Sequence, residues 1–189
     1  MIDYPVPLLG FCAWSGTGKT TLLKRLVPLL RQQGLALAVV KHAHHSFDID
    51  QPGKDSYELR AAGAEQVLVA SRNRVALVRE VPEEAAEPGL QEVLHCLDPD
   101  GLDLVLVEGY KHAPLPKIEL HRGDPGKPLL YPDDRYIIAV ATDRPLATSL
   151  HQLDIDRPEQ VAAFVLEYTD RHRNPSHADR HHPHRFQLR

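Results

Sequence analysis

A run of nine residues, Ala13-Trp14-Ser15-Gly16-Thr17-Gly18-Lys19-Thr20-Thr21, restricts the fold more than any other stretch of the chain. It follows an apolar segment, Val6 to Ala13, that reads as a buried strand. It precedes Leu22, Leu26, Leu29 and Leu30, whose spacing gathers them on one helical face until Gly34 ends the helix. Pro28 falls inside that helix and is expected to kink it. Strand, glycine-rich turn and helix together form the context of a phosphate-binding loop. Gly16 and Gly18 let successive N–H groups converge on one concavity at the helix N-terminus, where phosphate oxygens are held. Lys19 is spaced to reach the β- and γ-phosphates and the Thr20 hydroxyl to sit on Mg²⁺, with Ser15, Thr17 and Thr21 completing the expected nucleotide contacts. The pattern G-x-x-x-x-G-K-[ST] asks for glycine at position 13, where this chain has alanine. A methyl group at the end of a strand need not touch the phosphates.

Apolar runs and helical patterns alternate along the rest of the chain, which predicts an α/β fold: a doubly wound, mostly parallel sheet with some antiparallel strands. Further strands are expected at Leu35–Val40, at Lys117–His121, at Asp103–Glu108, the most apolar strand of the middle of the chain, and at Tyr136–Ala141, another of the same kind. Gln66–Ser71 and Arg74–Glu80 read as a tightly joined pair turning at Arg72-Asn73. Helices are expected near Ser56–Ala62, over Glu83–Leu97 with an interruption at Pro88-Gly89, and over Pro158–Tyr168. Tyr110 to Arg135 is long and rich in Pro and Gly, so that connection is functional or part of an interface. Residues 1–168 read as one domain. Residues 169–189 hold five Arg and five His with almost nothing apolar, and are expected to be a disordered tail that binds metal at most loosely.

Charge and composition exclude several classes. With 26 acidic against 22 basic side chains the net charge is −4, which gives no attraction to nucleic acid. No apolar run reaches membrane-spanning length and the first residues lack the pattern of a secretory leader, so a cytoplasmic location is expected. Cys12 and Cys96 alone build no disulfide framework.

Three further places carry candidate chemistry. Ligands of an open parallel sheet sit beyond the carboxyl ends of its strands. Glu108 ends such a strand and is the expected Mg²⁺ ligand, with the Gly109 N–H sensing the γ-phosphate. Asp103 lies at the opposite edge. Lys41-His42-Ala43-His44-His45 follows the second strand, so Lys41 is placed to meet a phosphate. Asp48, Asp50 and Asp55 beyond it are candidates to orient Mg²⁺ or attacking water, Asp55 with Glu58 equally resembling a helix cap. Solvated loop residues are the simpler reading of the three histidines. Thr142-Asp143 closes another apolar strand, and a carboxylate there would accept from both guanine N1–H and the exocyclic amine, a pairing adenine does not offer. Nothing is an obvious arginine finger; Arg60 or Arg72 would serve only if a second subunit brought them in.

The segments A-W-S-G-T-G-K-T-T-L-L, V-K-H-A-H-H-S-F-D-I-D-Q-P-G-K-D-S-Y-E-L-R-A-A-G-A and L-D-L-V-L-V-E-G-Y-K-H resemble the MobB family, over about Pro7 to Tyr168. The resemblance implies a homodimeric GTP-binding adapter with slow Mg²⁺-dependent GTPase activity. Such a protein assists the MobA nucleotidyl transferase, which joins GMP to molybdopterin to make the dinucleotide form of the molybdenum cofactor. It implies GTP and Mg²⁺ as ligands and molybdopterin or its product as a further contact. Gly16, Gly18, Lys19 and Thr20 match the family's phosphate loop, and Glu108-Gly109 its second motif. Two other classes remain open on the residues alone: a small-molecule kinase using ATP, and a metallochaperone-type GTPase.

Overall fold

The computed structural model describes residues 2–43, 47–82, 85–123 and 126–173. The chain divides into two compact units, Met1–His42 with Gly89–Arg189, and Ala43–Pro88, where the sequence suggests a single domain.

The first unit is built on six strands in the order β2-β5-β1-β6-β7-β8, all parallel. These are β1 (Leu8–Cys12), β2 (Leu37–Lys41), β5 (Leu104–Glu108), β6 (Lys117–His121), β7 (Ile137–Thr142) and β8 (His151–Asp154). Helices cover both faces, which is why β1 and β5 read as unbroken apolar runs. On one face Leu9, Phe11 and Leu106 pack with the buried leucines of α1 (Lys19–Gln32) and with Val161 and Val165 of α4 (Pro158–His172). On the other, Leu8, Val105 and Val107 pack with Leu90 and Leu94 of α3 (Leu90–Leu94). This is the doubly wound arrangement expected from the sequence, and α1 runs on through Pro28.

Several elements differ from the sequence reading. The described part of the expected Glu83–Leu97 helix is helical only over five residues, where the Glu92 carboxylate accepts the Gly89 N–H at 2.8 Å. Strand β8 and a 3₁₀ turn at Tyr131–Asp133 are additions. Helix α4 continues past Tyr168 because Thr169 is fully buried and its hydroxyl donates to Val165 O at 2.8 Å. Arg173 follows, paired at 2.9 Å with Asp103. The first residues of the expected tail are therefore helical, and residues 174–189 lie outside the described ones.

Strand β6 is buried on both sides although Lys117, Glu119 and His121 alternate along it. The described residues that flank β6 between Tyr110 and Arg135 cover that polar face, and Lys117 and Glu119 serve as their anchors. The Lys117 ammonium donates to Lys111 O and Ala113 O, both at 2.8 Å, and pairs with Asp134 at 2.7 Å. The lysine stem needs Gly10 beneath it, since a Cβ there would come within 2.6 Å of Lys117 Cγ.

The second unit holds α2 (Asp55–Ala61) and an antiparallel hairpin of β3 (Gln66–Ser71) and β4 (Arg74–Arg79). Arg60 ties it together, at 2.6 Å from Asp48 and 2.7 Å from Glu80. Leu68, Val69, Val75 and Leu77 of the hairpin are exposed. Among the described residues no helix is long and apolar enough to cross a membrane.

Candidate functional site

The loop between β1 and α1 takes the shape its glycines permit. Gly16 and Gly18 adopt φ values of 77° and 101°, in the left-handed region that side chains disfavour. Gly18 caps α1 with no side chain in the way, so the first helical N–H groups stay directed outward. Lys19 folds back along the loop and its ammonium donates to Ala13 O at 3.3 Å. The position where the common motif has glycine thus contributes through its carbonyl, which alanine supplies equally well. Thr17 is buried and its hydroxyl donates to Trp14 O at 2.8 Å, bracing the turn from within. Ser15 and Thr21 are exposed, at the loop and in the first turn of α1.

Glu108 ends β5, the neighbour of β1, in register with Phe11 on one side and Lys41 on the other. Its carboxylate accepts the Thr20 hydroxyl at 3.0 Å. A hydroxyl and a carboxylate meeting at a helix N-terminus are the hard oxygen donors that Mg²⁺ takes alongside phosphate, so these residues fit that ion. Next to them Gly109 has φ 91°, and a Cβ on it would come within 2.6 Å of His42 Cβ; its N–H faces Phe11 O at 3.5 Å. His42 donates its backbone N–H to Glu108 O at 2.8 Å and stacks on Tyr110 with ring centroids 4.4 Å apart. This accounts for the first residues of the histidine-bearing stretch by packing, while His44 and His45 lie outside the described residues. Among the described residues no cluster suited to a transition metal occurs.

Thr142 ends β7 and Asp143 follows it, at the same carboxyl edge. The Asp143 carboxylate accepts the Gly123 N–H at 3.1 Å and stands 3.8 Å from Arg122, while the Thr142 hydroxyl donates to Arg144 O at 3.0 Å.

Asp48, Asp50 and Asp55 belong to the second unit and have evident local duties. Asp48 accepts the Asp50 N–H and binds Arg60, and these two contacts hold its carboxyl below the usual range. Asp50 accepts the Ser56 hydroxyl at 3.0 Å, and Asp55 opens α2, where Glu58 rather than Asp55 accepts the Gly53 N–H. Arg60 is committed to Asp48 and Glu80.

A further contributor comes from the connection that the sequence marks as functional or part of an interface. From the long connection, the Trp14 indole N–H meets Pro128 O at 2.7 Å, the Lys127 ammonium meets Ser15 O at 3.1 Å, and the Lys111 ammonium lies 4.9 Å from the centre of the Trp14 ring. Buried Glu119 seats this segment by accepting the Leu130 and Tyr131 N–H groups at 2.8 and 2.9 Å. Burial raises its pKa, and those two bonds oppose the rise. The clue in the sequence was the lysine-bearing Pro-Gly segment itself, whose length had already marked it.

A parallel α/β sheet carrying this loop, with a carboxylate on the neighbouring strand bonded to the loop threonine, defines a P-loop protein. The model of the family described as molybdopterin guanine dinucleotide synthesis protein B, MobB, matches residues 8–143, and the chain belongs to that family. It is 51% identical over 164 residues to the molybdopterin-guanine dinucleotide biosynthesis adapter protein of Escherichia coli (strain K12), covering 86% of this chain and 93% of that one. The corresponding Haemophilus influenzae protein is 44% identical over 85% of this chain and 88% of its own. A crystal structure of molybdopterin-guanine biosynthesis protein B aligns with a TM-score of 0.65 at 30% identity, over 85% of this chain and 98% of the other. The MobB homologue of Bacillus stearothermophilus, at 22% identity, aligns with a TM-score of 0.65 over 87% of this chain and 98% of that one, a likeness of fold.

Proposed function

We propose that this chain is an adapter in molybdopterin-guanine dinucleotide biosynthesis that binds Mg·GTP at the 13–21 loop, hydrolyses it slowly and assists a MobA-type nucleotidyl transferase. The observation that carries the nucleotide part is the Thr20–Glu108 hydrogen bond of 3.0 Å beside a loop opened by Gly16 and Gly18. The adapter part rests on membership of the MobB family and on the adapter description of the relatives at 51% and 44% identity. A role on GTP places the work in the cytoplasm, where that nucleotide is held.

In this reading the loop amides and Lys19 hold phosphate oxygens, and Thr20 and Glu108 hold Mg²⁺ directly or through water. Bound Mg²⁺ would neutralise phosphate charge. The Gly109 N–H, which rests 3.5 Å from Phe11 O, would turn from that carbonyl to report an added γ-phosphate, and Lys41 ends the adjacent strand. Glu108→Gln keeps an acceptor for Thr20 but loses the charge. The Mg²⁺ concentration for half-maximal GTP binding is expected to rise about tenfold, and an unaltered Mg²⁺ titration would remove Glu108 from the metal site.

Guanine selection falls to Asp143, whose Oδ2 faces Arg122 only at 3.8 Å and keeps acceptor capacity for a base. Asp143→Asn is expected to cut the preference for GTP over ATP by about tenfold or more, read by competition binding. Retained discrimination would place the base elsewhere, and ATP preference in the native chain would favour a kinase. A homodimer is supported by the exposed Leu68, Val69, Val75 and Leu77, because a two-stranded hairpin with an uncovered apolar surface needs a partner to be stable. Titration of the purified transferase with this chain, with and without GTP, tests the adapter role. GTP-dependent complex formation is the expected result.

A further inference from the structure

We infer that Lys127 is a second phosphate-binding cation of the site, supplied in cis by the β6–β7 connection and directed at the terminal phosphate of a nucleoside triphosphate. The inference rests on the Mg·GTP reading above. Lys127 holds the loop at its midpoint: its ammonium is 3.1 Å from Ser15 O and would stand 3.9 Å from a Cβ on Gly16. Because residue 16 is glycine, no side chain separates that ammonium from the backbone that lines the phosphate concavity. Lys19, bonded to Ala13 O, approaches the same loop from the helix side. Two ammonium groups thus converge on one turn from different elements.

The approach of Lys127 is fixed by contacts of its neighbours rather than by its own flexible stem. Pro128 O receives the Trp14 indole N–H at 2.7 Å, and the Leu130 and Tyr131 N–H groups end on the buried Glu119 carboxylate. Ordering the backbone that follows a lysine removes part of the entropy that positioning its charge would otherwise cost. Mg²⁺ and Lys19 leave part of a triphosphate's charge uncompensated, most of it on the terminal phosphate. An ammonium held by a carbonyl of the loop is placed to supply the remainder, both in the bound state and as charge shifts during hydrolysis. A diphosphate lacks the group that Lys127 would meet.

The test compares the native chain with Lys127→Ala and Lys127→Arg in titrations with GTP and GDP in the presence of Mg²⁺, alongside single-turnover GTP hydrolysis. Lys127→Ala is expected to weaken GTP binding about tenfold or more, with GDP affinity within about twofold of native and the hydrolysis rate at least about tenfold lower. Lys127→Arg should restore most of the GTP affinity. Equal losses for GTP and GDP would show that Lys127 only braces the loop through Ser15 O, and unchanged affinity for both would remove it from the site; either overturns the inference while leaving the Mg·GTP reading intact. Failure of the native chain to bind GTP would overturn both.

Discussion

Lys117→Met is expected to lower the unfolding free energy by about 3–5 kcal/mol, the largest stability loss of any single change considered. The methionine fills nearly the same space above Gly10, so the loss comes from charge and hydrogen bonding. Lys111 O and Ala113 O lose their donor, and the Asp134 carboxylate is left beside an apolar side chain. For a chain of this length the corresponding fall in Tm is about 10 °C. A double-mutant cycle separates the ion pair from the rest, with Asp134→Asn as the second change. The double variant should be less destabilised than the sum of the singles, because neither then strands a charge. Urea unfolding of the four proteins gives the answer, and a loss below about 1 kcal/mol in Lys117→Met would mean that the covering connection does not depend on this anchor. A loosened connection should also lower GTP affinity, since Lys111, Lys127 and Pro128 all lie on it.

Lys19→Ala is the second large effect, and it acts on binding rather than folding. The side chain is partly exposed and makes a 3.3 Å contact with Ala13 O, so its removal costs the fold little. In the Mg·GTP reading the same ammonium would meet phosphate oxygens of two groups, and charge-assisted hydrogen bonds contribute about 1.5–3 kcal/mol each. Affinity for Mg·GTP is therefore expected to fall by about a hundredfold or more, while the Tm without nucleotide stays within about 2 °C of native. Calorimetric titration together with thermal unfolding checks both halves. A large drop in Tm would mean that Lys19 supports the loop rather than the ligand.

Which parts of this architecture the sequence made legible follows from whether a local rule governed them. The loop from Ala13 to Thr21, the apolar strand ending at Glu108 and the hairpin turning at Arg72-Asn73 each obey one, so their elements and places were readable. Their spatial order was not, since β5 enters between β2 and β1 through contacts distant in sequence. Strand β8 is short and mostly polar, and it forms because β7 offers an edge. The polar face of β6 was the harder case. Lys117, Glu119 and His121 alternate as though facing water, and are buried because the Tyr110–Arg135 connection brings carbonyls and amides to the first two. The same connection brings Lys127 to the loop, a contact separated by 112 positions that no local pattern announces.

The most direct measurement is a crystal structure of the chain with Mg²⁺ and a non-hydrolysable GTP analogue. The account predicts phosphate oxygens against the backbone amides of residues 16–20, the metal at Thr20 and Glu108, and the Lys127 ammonium on the terminal phosphate. An analogue bound elsewhere, with the 13–21 loop unchanged and without phosphate, would contradict it.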